Sequence, residues 1–310
     1  MIPIRDGARY LRQCLDSIMA QTQPVRAAVA VDDGSTDATP DILAEYQRRW
    51  PALEVVRTDK RGLPHARNSG IAACRAPFVA FLDSDDVWAA TKLERQLALF
   101  ADQRARLGFV YCGYSLIDED GRPSTRRTIA PTVRGDVLTD LLLGGNLISG
   151  SGSAVVASRS LLERAGGFDE SLTFGEDWDL WLRLAELSEV DFVPEPLVAI
   201  RLHDQSMQHR NARHGLKQEL LQRLGVLDRW YLRDKLPPAA SVQIRKDVVS
   251  IAIEGIRQEP LAGWLHAWRL VDELSRSGSS LGQNLFAGRA DFFSEFSPRI
   301  ATAVRRRIGR

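Results

Sequence analysis

Cysteine is scarce in this chain. Cys14, Cys74 and Cys112 are its only three among 310 residues, widely spaced and odd in number. They show no disulfide or metal-ligand spacing, which excludes a disulfide scaffold and a cysteine-bound zinc module and fits a reducing compartment. Long apolar runs are missing as well: none approaches the roughly 20 residues that cross a bilayer, and the N-terminus lacks a signal-peptide pattern. A bias in charge is also absent, with 41 Lys and Arg against 40 Asp and Glu and a formal net charge of +1. That balance gives no overall reason to expect nucleic acid as partner. Internal repeats and low-complexity tracts are lacking too. The expectation is a soluble, cytoplasmic chain, ordinary in its 44% hydrophobic and 26% charged content.

What is present is alternation. Leu11, Cys14, Leu15 and Ile18 fall at helical spacing, and a strand-like run Ala27 to Val31 follows. Thr39-Pro40 reads as an N-cap with proline at the first helical position, opening a helix through Ile42, Leu43 and Tyr46. A strand at Leu53 to Val56, a helix from about Leu63 to Cys74, a strand ending at Leu82 and a helix through Leu93, Leu97 and Phe100 continue the pattern. This predicts βαβ units on a mostly parallel sheet. In the middle third, Phe109 to Cys112 and the turn at 118–121 suggest a hairpin-like excursion, and Ser153 to Val156 a strand. Ser158 should cap a short helix ended by Gly166-Gly167, Glu176 to Leu187 an amphipathic helix, and Leu197 to Leu202 a last strand. Past about residue 206 only helical patterns remain: Leu216 to Leu227, Val248 to Ile256, and Trp264 to Val271. The expected division is an α/β domain over 1–205 and an α-helical extension over 206–310.

Acidic residues gather where strands should emerge. Phe81-Leu82-Asp83-Ser84-Asp85-Asp86 follows the apolar run Pro77 to Ala80. Adjacent carboxylates at a sheet edge repel one another, and an oxygen-ligand cation such as Mg²⁺ or Mn²⁺ would relieve that repulsion. An Asp-x-Asp spacing on extended chain would point two carboxylates the same way, suited to one cation and a diphosphate. A solvated acidic turn is the bland alternative. Val31-Asp32-Asp33-Gly34-Ser35 ends another strand, where a carboxylate can accept a base N–H or a ribose hydroxyl; an Asp-Gly turn accounts for Asp33 and Asp37 but not Asp32. Gly175-Glu176-Asp177-Trp178 opens a helix whose dipole keeps acids ionised, as a general base must be before it takes a proton. Arg67, with Arg201 and His203 after the last strand, offers diphosphate recognition and one imidazole; His65 ranks below His203.

Taken in order, these segments resemble the family 2 glycosyltransferases. The matching stretches are Ile2-Pro3-Ile4, Asp16-Ser17-Ile18 with Gln21-Thr22, and Val31 to Asp37. They continue with Ala66-Arg67-Asn68-Ser69-Gly70, Phe81 to Asp86, Gly166-Gly167-Phe168-Asp169 and Gly175 to Trp181. The resemblance spans about residues 1–205. It implies a GT-A fold and inverting transfer from a nucleoside-diphosphate sugar to a hydroxyl on a glycan or lipid-linked acceptor, in cell-surface polysaccharide or glycolipid assembly. By the same resemblance Asp32 contacts the base, Arg67 helps hold the nucleotide, and Asp83 and Asp85 form the ribose-diphosphate and metal site. Asp85 is then the direct metal ligand, His203 a second one, and Asp177 the base that deprotonates the acceptor.

Two departures stand out. The family begins with a full apolar strand, whereas this chain starts at Met1-Ile2-Pro3, so a truncated first strand and an exposed sheet edge are expected. No Gln-x-x-Arg-Trp motif of processive synthases follows Asp177, which favours transfer of single sugars. Competing readings are a catalytically impaired nucleotide-sugar-binding scaffold, a sugar-phosphate nucleotidyltransferase, for which Pro3 to Gly7 makes a poor phosphate loop, and an aspartyl phosphohydrolase, which leaves Asp32 and Asp177 unexplained. Near the end, Phe292, Phe296, Ile300, Val304 and Ile308 recur every four residues beside five arginines between 299 and 310. Such a stripe suits peripheral contact with the inner face of the plasma membrane, although packing on the protein's own core is commoner.

Overall fold

The computed structural model describes residues 1–101, 105–124, 128–173, 175–204, 224–246, 280–281 and 285. The chain divides into two compact units, Met1–Asp204 and Gln205–Arg310.

In the first unit, β1 (Ile2–Ile4), β2 (Ala28–Asp32) and β3 (Leu53–Arg57) form a parallel sheet with β2 in the middle. All residues of β1 and β2 are buried, which is why both read as unbroken apolar runs rather than alternating ones. Helices α1 (Ala8–Met19) and α2 (Thr39–Arg49) connect these strands, α3 (Leu63–Ala73) follows β3, and Leu11, Cys14, Leu15 and Ile18 of α1 pack into the core as their spacing predicts. Thr39 differs from expectation: it is the first helical residue, and its hydroxyl accepts from the Gly7 amide at 3.0 Å instead of capping its own helix.

The edge of β1 that was expected to be exposed is joined at Met1 to a neighbouring segment. The Met1 nitrogen donates to the Ala80 carbonyl at 2.6 Å and the Leu82 amide donates to the Met1 carbonyl at 3.1 Å, so the segment Phe78 to Leu82 lies along β1. That segment contains β4 (Phe78–Ala80), the edge of a five-stranded sheet ordered β4-β7-β6-β8-β5, where β5 is Val87–Trp88, β6 Leu107–Ile117, β7 Val156–Ser158 and β8 Glu189–Arg201. This second sheet is mixed: β6 and β8 run parallel, while the β4–β7, β6–β7 and β5–β8 pairs are antiparallel. The hairpin-like excursion expected here is present: β6 runs for eleven residues, the chain turns at 118–121, and it returns in antiparallel bridges at Ile117–Pro123 and Tyr114–Ile129. The expected strand at 153–156 begins late, because Gly152–Ala154 forms a 3-10 turn. Helices α4 (Lys92–Ala101), α5 (Leu138–Gly144), α6 (Arg159–Arg164) and α7 (Glu176–Leu187) complete the unit.

In the second unit, residues 224–232 and 238–246 are helical, the latter opening on Pro238. Leu224, Leu227, Trp230, Ala240 and Ile244 are buried, and the Leu281 amide donates to Asp228 Oδ1 at 2.8 Å. The helices expected at 248–256 and 264–271, and the basic stripe from Phe292 to Arg310, lie outside the described residues.

Candidate active site

Strand β2 delivers Asp32 and Asp33 at its carboxyl end, where parallel sheets bind ligands. Asp32 is 2% exposed; its Oδ1 accepts from the Ser35 amide at 2.8 Å, and Oδ2 faces Arg57 Nε at 3.8 Å. Asp33 does more than form a turn. It accepts from the Thr58 hydroxyl at 2.7 Å and from the amides of Arg61 and Gly62 at 2.9 and 2.8 Å, fixing the loop that leads into α3. Burial pushes its carboxyl up, but those three hydrogen bonds outweigh it and hold the group below its usual value.

The acidic run leaves the sheet beside β4 and turns at once. The Asp86 amide donates to the Asp83 carbonyl at 3.1 Å, so residues 83–86 form a turn rather than the extended chain expected for Asp-x-Asp. The carboxylates consequently face different partners. Asp83 Oδ1 accepts from Arg67 Nη2 at 3.0 Å, and its Oδ2 accepts from the Ser151 hydroxyl. Asp85 Oδ2 stands 2.9 Å from His203 Nε2. Asp86 turns inward: it is 3% exposed, accepts from the Ser153 hydroxyl at 2.6 Å and from the Arg201 amide at 3.0 Å, and is driven well above its usual pKa by burial and by Asp85 and Asp83.

Among the described residues, no group of three or more His, Cys, Asp or Glu side chains gathers into a metal cage. The Asp85–His203 pair nonetheless suits an octahedral cation. The 2.9 Å between the carboxylate oxygen and the imidazole nitrogen is the length of a direct hydrogen bond, and it is also about the 3 Å that separates adjacent ligands about 2.1 Å from such an ion. The donors match as well, since Mg²⁺ takes carboxylate and Mn²⁺ also accepts imidazole. His203 is further held by the Tyr10 ring, 5.1 Å between centroids.

Arg67, on α3, is 2% exposed and lies between two carboxylates. Its Nη1 donates to Glu176 Oε1 at 2.8 Å and its Nη2 to Asp83, and its buried Nε meets no acceptor among the described residues. Burial alone would favour the neutral guanidine, but Asp83, Glu176 and Asp177 overcome this and hold it protonated. Burial drives Glu176 above the ordinary carboxylate range; Arg67 draws it back, and Asp177 and Asp83 push it up again. Arg201 is committed elsewhere. Its Nε donates to the Asp85 carbonyl at 2.9 Å, its Nη1 to the carbonyls of Asp118 and Glu119, and its Nη2 to Gln13, so it shapes the acidic turn rather than facing a ligand. His65 pairs with Glu170 at 3.0 Å, and Ser69 Oγ stands 3.4 Å from its Nε2.

Asp177 sits in the first turn of α7, partly exposed. Its Oδ1 accepts from the Trp178 amide at 2.7 Å and its Oδ2 from Asn146 Nδ2 at 3.0 Å. Three participants were missed in the sequence: Glu176 as the partner of Arg67, Asn146 as the partner of Asp177, and the segment Gly150-Ser151-Gly152-Ser153 that wraps the acidic turn. The only signal for the last was its Gly-Ser alternation.

The profile described as Glycosyl transferase family 2 matches residues 1–166. An uncharacterized glycosyltransferase of Rickettsia typhi is 30% identical over 210 residues, which is 66% of this chain and 63% of that protein. TuaG of Bacillus subtilis, named for teichuronic acid biosynthesis, is 34% identical over 145 residues, 46% of this chain and 57% of TuaG. The chain spans less than two thirds of the length of these curated relatives. Among solved structures, S. aureus TarS 1-349 in complex with UDP-GlcNAc superposes with a TM-score of 0.66 at 17% identity, covering 100% of this chain and 91% of that one. The mannosyltransferase PcManGT from Pyrobaculum calidifontis, in complex with GDP-Man and Mn²⁺, gives 0.56 at 20% identity over 98% and 83%. At such identities the likeness establishes the fold, which is of the GT-A type.

Proposed function

This chain belongs to glycosyltransferase family 2, and from that premise we propose that it transfers a sugar from a nucleoside-diphosphate sugar to a hydroxyl acceptor with inversion at the anomeric carbon. The observation that carries the reading is Arg67, whose ion pairs tie Asp83 at the sheet edge to Glu176 at the start of α7. Through that link the donor-side acids and Asp177 belong to one rigid assembly. In this reading Asp32 accepts from the nucleotide base and Asp83 from the ribose, with Arg67 holding the nucleotide through Asp83. Asp85 and His203 would hold Mg²⁺ or Mn²⁺, which supplies Lewis-acid stabilisation of the departing nucleoside diphosphate. Asp177, partly exposed in the first turn of α7, takes the proton of the acceptor hydroxyl.

The acceptor is a glycan or lipid-linked glycan of cell-surface polysaccharide assembly, a reading supported by the likeness to TuaG. Among the described residues no helix is long and apolar enough to cross a membrane, and the arginines at 299–310 supply the peripheral contact with the inner face of the plasma membrane. Thermal-shift measurements with UDP-, GDP- and dTDP-sugars, with and without Mn²⁺, test the donor. One nucleotide series should stabilise the protein, and NMR of the transferred product should show the inverted anomer. Absence of stabilisation by every nucleotide would sink the transferase reading, and binding without turnover would favour the scaffold.

A further inference from the structure

Ser151 holds φ 58° and ψ −175°, a backbone region that is almost the preserve of glycine. It is one of four non-glycine residues with positive φ among the described residues. Its surroundings enforce this conformation. Gly150 before it is packed so tightly that an added Cβ would meet Tyr114 Cδ1 at 2.9 Å and the Ala154 Cβ at 3.0 Å. After it, the Ser153 hydroxyl accepts from the Asp83 amide at 3.0 Å and donates to Asp86. The Ser153 and Ala154 carbonyls accept from Trp88 Nε1 and Gln96 Nε2 at 3.0 and 2.9 Å.

A glycine would relax this position, so the serine side chain must account for the strain. Its hydroxyl donates to Asp83 Oδ2, while Arg67 occupies Oδ1. Asp83 is therefore gripped at both oxygens, which fixes the plane of its carboxylate. Each oxygen keeps a further lone pair for a ligand.

We propose that Ser151 is a positioning residue for the sugar-nucleotide donor, holding the Asp83 carboxylate in the orientation that meets it; this rests on the transferase reading above. Backbone strain is retained because only that conformation brings the hydroxyl onto Asp83. The position thus trades folding stability for donor binding.

Two substitutions separate this role from a structural one. Ser151→Gly removes the hydroxyl and relaxes the backbone, whereas Ser151→Ala removes the hydroxyl and keeps the strain. Calorimetric titration with the stabilising nucleotide sugar in Mn²⁺ should show donor Kd raised about tenfold in both variants, the low end of the loss when a partner that orients a ligand-binding side chain is removed. Melting temperature should separate them, with Ser151→Gly at or above wild type and Ser151→Ala below it. Acceptor KM should not move in either. Wild-type donor affinity in Ser151→Gly, or donor loss that simply follows melting temperature across the two variants, would overturn this inference alone. A wild-type protein that binds no nucleotide sugar would overturn both the inference and the reading beneath it.

Discussion

Arg67 and Glu176 are 109 residues apart in sequence and 2.8 Å apart in space, with side chains 2% and 7% exposed. This pair joins α3 to the first turn of α7, and its second carboxylate, Asp83, joins both to the acidic turn. A buried pair of this kind is costly to break from one side, because the remaining charge is left desolvated.

Arg67→Ala is therefore expected to lower unfolding stability by about 3–5 kcal/mol, read as the urea midpoint at constant slope. The double variant Arg67→Met, Glu176→Gln should recover a large part of that loss. Equal instability in the single and double variants would mean that the Glu176 charge is not what makes Arg67 necessary.

Asp177→Asn keeps the shape of the side chain and an oxygen that can accept from the Trp178 amide, but its NH2 group can neither accept from Asn146 Nδ2 nor take a proton. Donor binding should be retained, and transfer to acceptor should fall by roughly 10²–10⁴-fold. Unchanged turnover would remove Asp177 from the chemistry.

Asp85→Ala leaves His203 without its oxygen partner. Donor binding should weaken and lose its dependence on Mn²⁺, and chelation of the metal from the wild-type protein should produce the same weakening. Intact, metal-independent donor affinity in the variant would show that this pair holds no cation.

Lys92 gives a pH signature away from the site. It is fully buried, donates to Gln96 Oε1 at 2.7 Å, lies 4.3 Å from the centre of the Trp88 ring, and burial lowers its pKa to about 8 against 10.5 for the free side chain. Between pH 8 and 10.5 the unfolded chain holds a proton that the folded chain has released. Stability attributable to this group therefore rises with pH across that window, and below pH 8 its burial cost is fully present. The gain amounts to about 3 kcal/mol across the window. The difference between wild type and Lys92→Met, followed by denaturant unfolding from pH 7 to 11, should show this rise; a flat difference would place the pKa of Lys92 near its ordinary value.

Much of the fold was legible because local physics decided it. The apolar run Ala28 to Val31, buried on both faces, could only be an interior strand, and Leu11, Cys14, Leu15 and Ile18 could share a face only on a helix. The strand at 153–156 was misread because contacts across the fold decided it, whereas the hairpin-like return after the turn at 118–121 was legible. Residues 107–117 stay extended beside β8, and Ser153 is drawn into a 3-10 turn by Asp83, Asp86 and Trp88. The extended Asp-x-Asp failed for a related reason: Arg201, more than a hundred residues away, holds the Asp85 carbonyl and closes the turn.

By itself the sequence determined which acids stand at strand ends and which opens a helix, because strand and helix periodicities are local and the carboxylates sit where burial stops. Only the tertiary structure decided how those acids are partnered. Asp85 with His203, Asp83 between Arg67 and Ser151, Asp86 turned into the core and Glu176 neutralising Arg67 are contacts across 16 to 118 residues of chain. No local propensity encodes such pairings; they follow from packing and from the cost of leaving a buried charge alone.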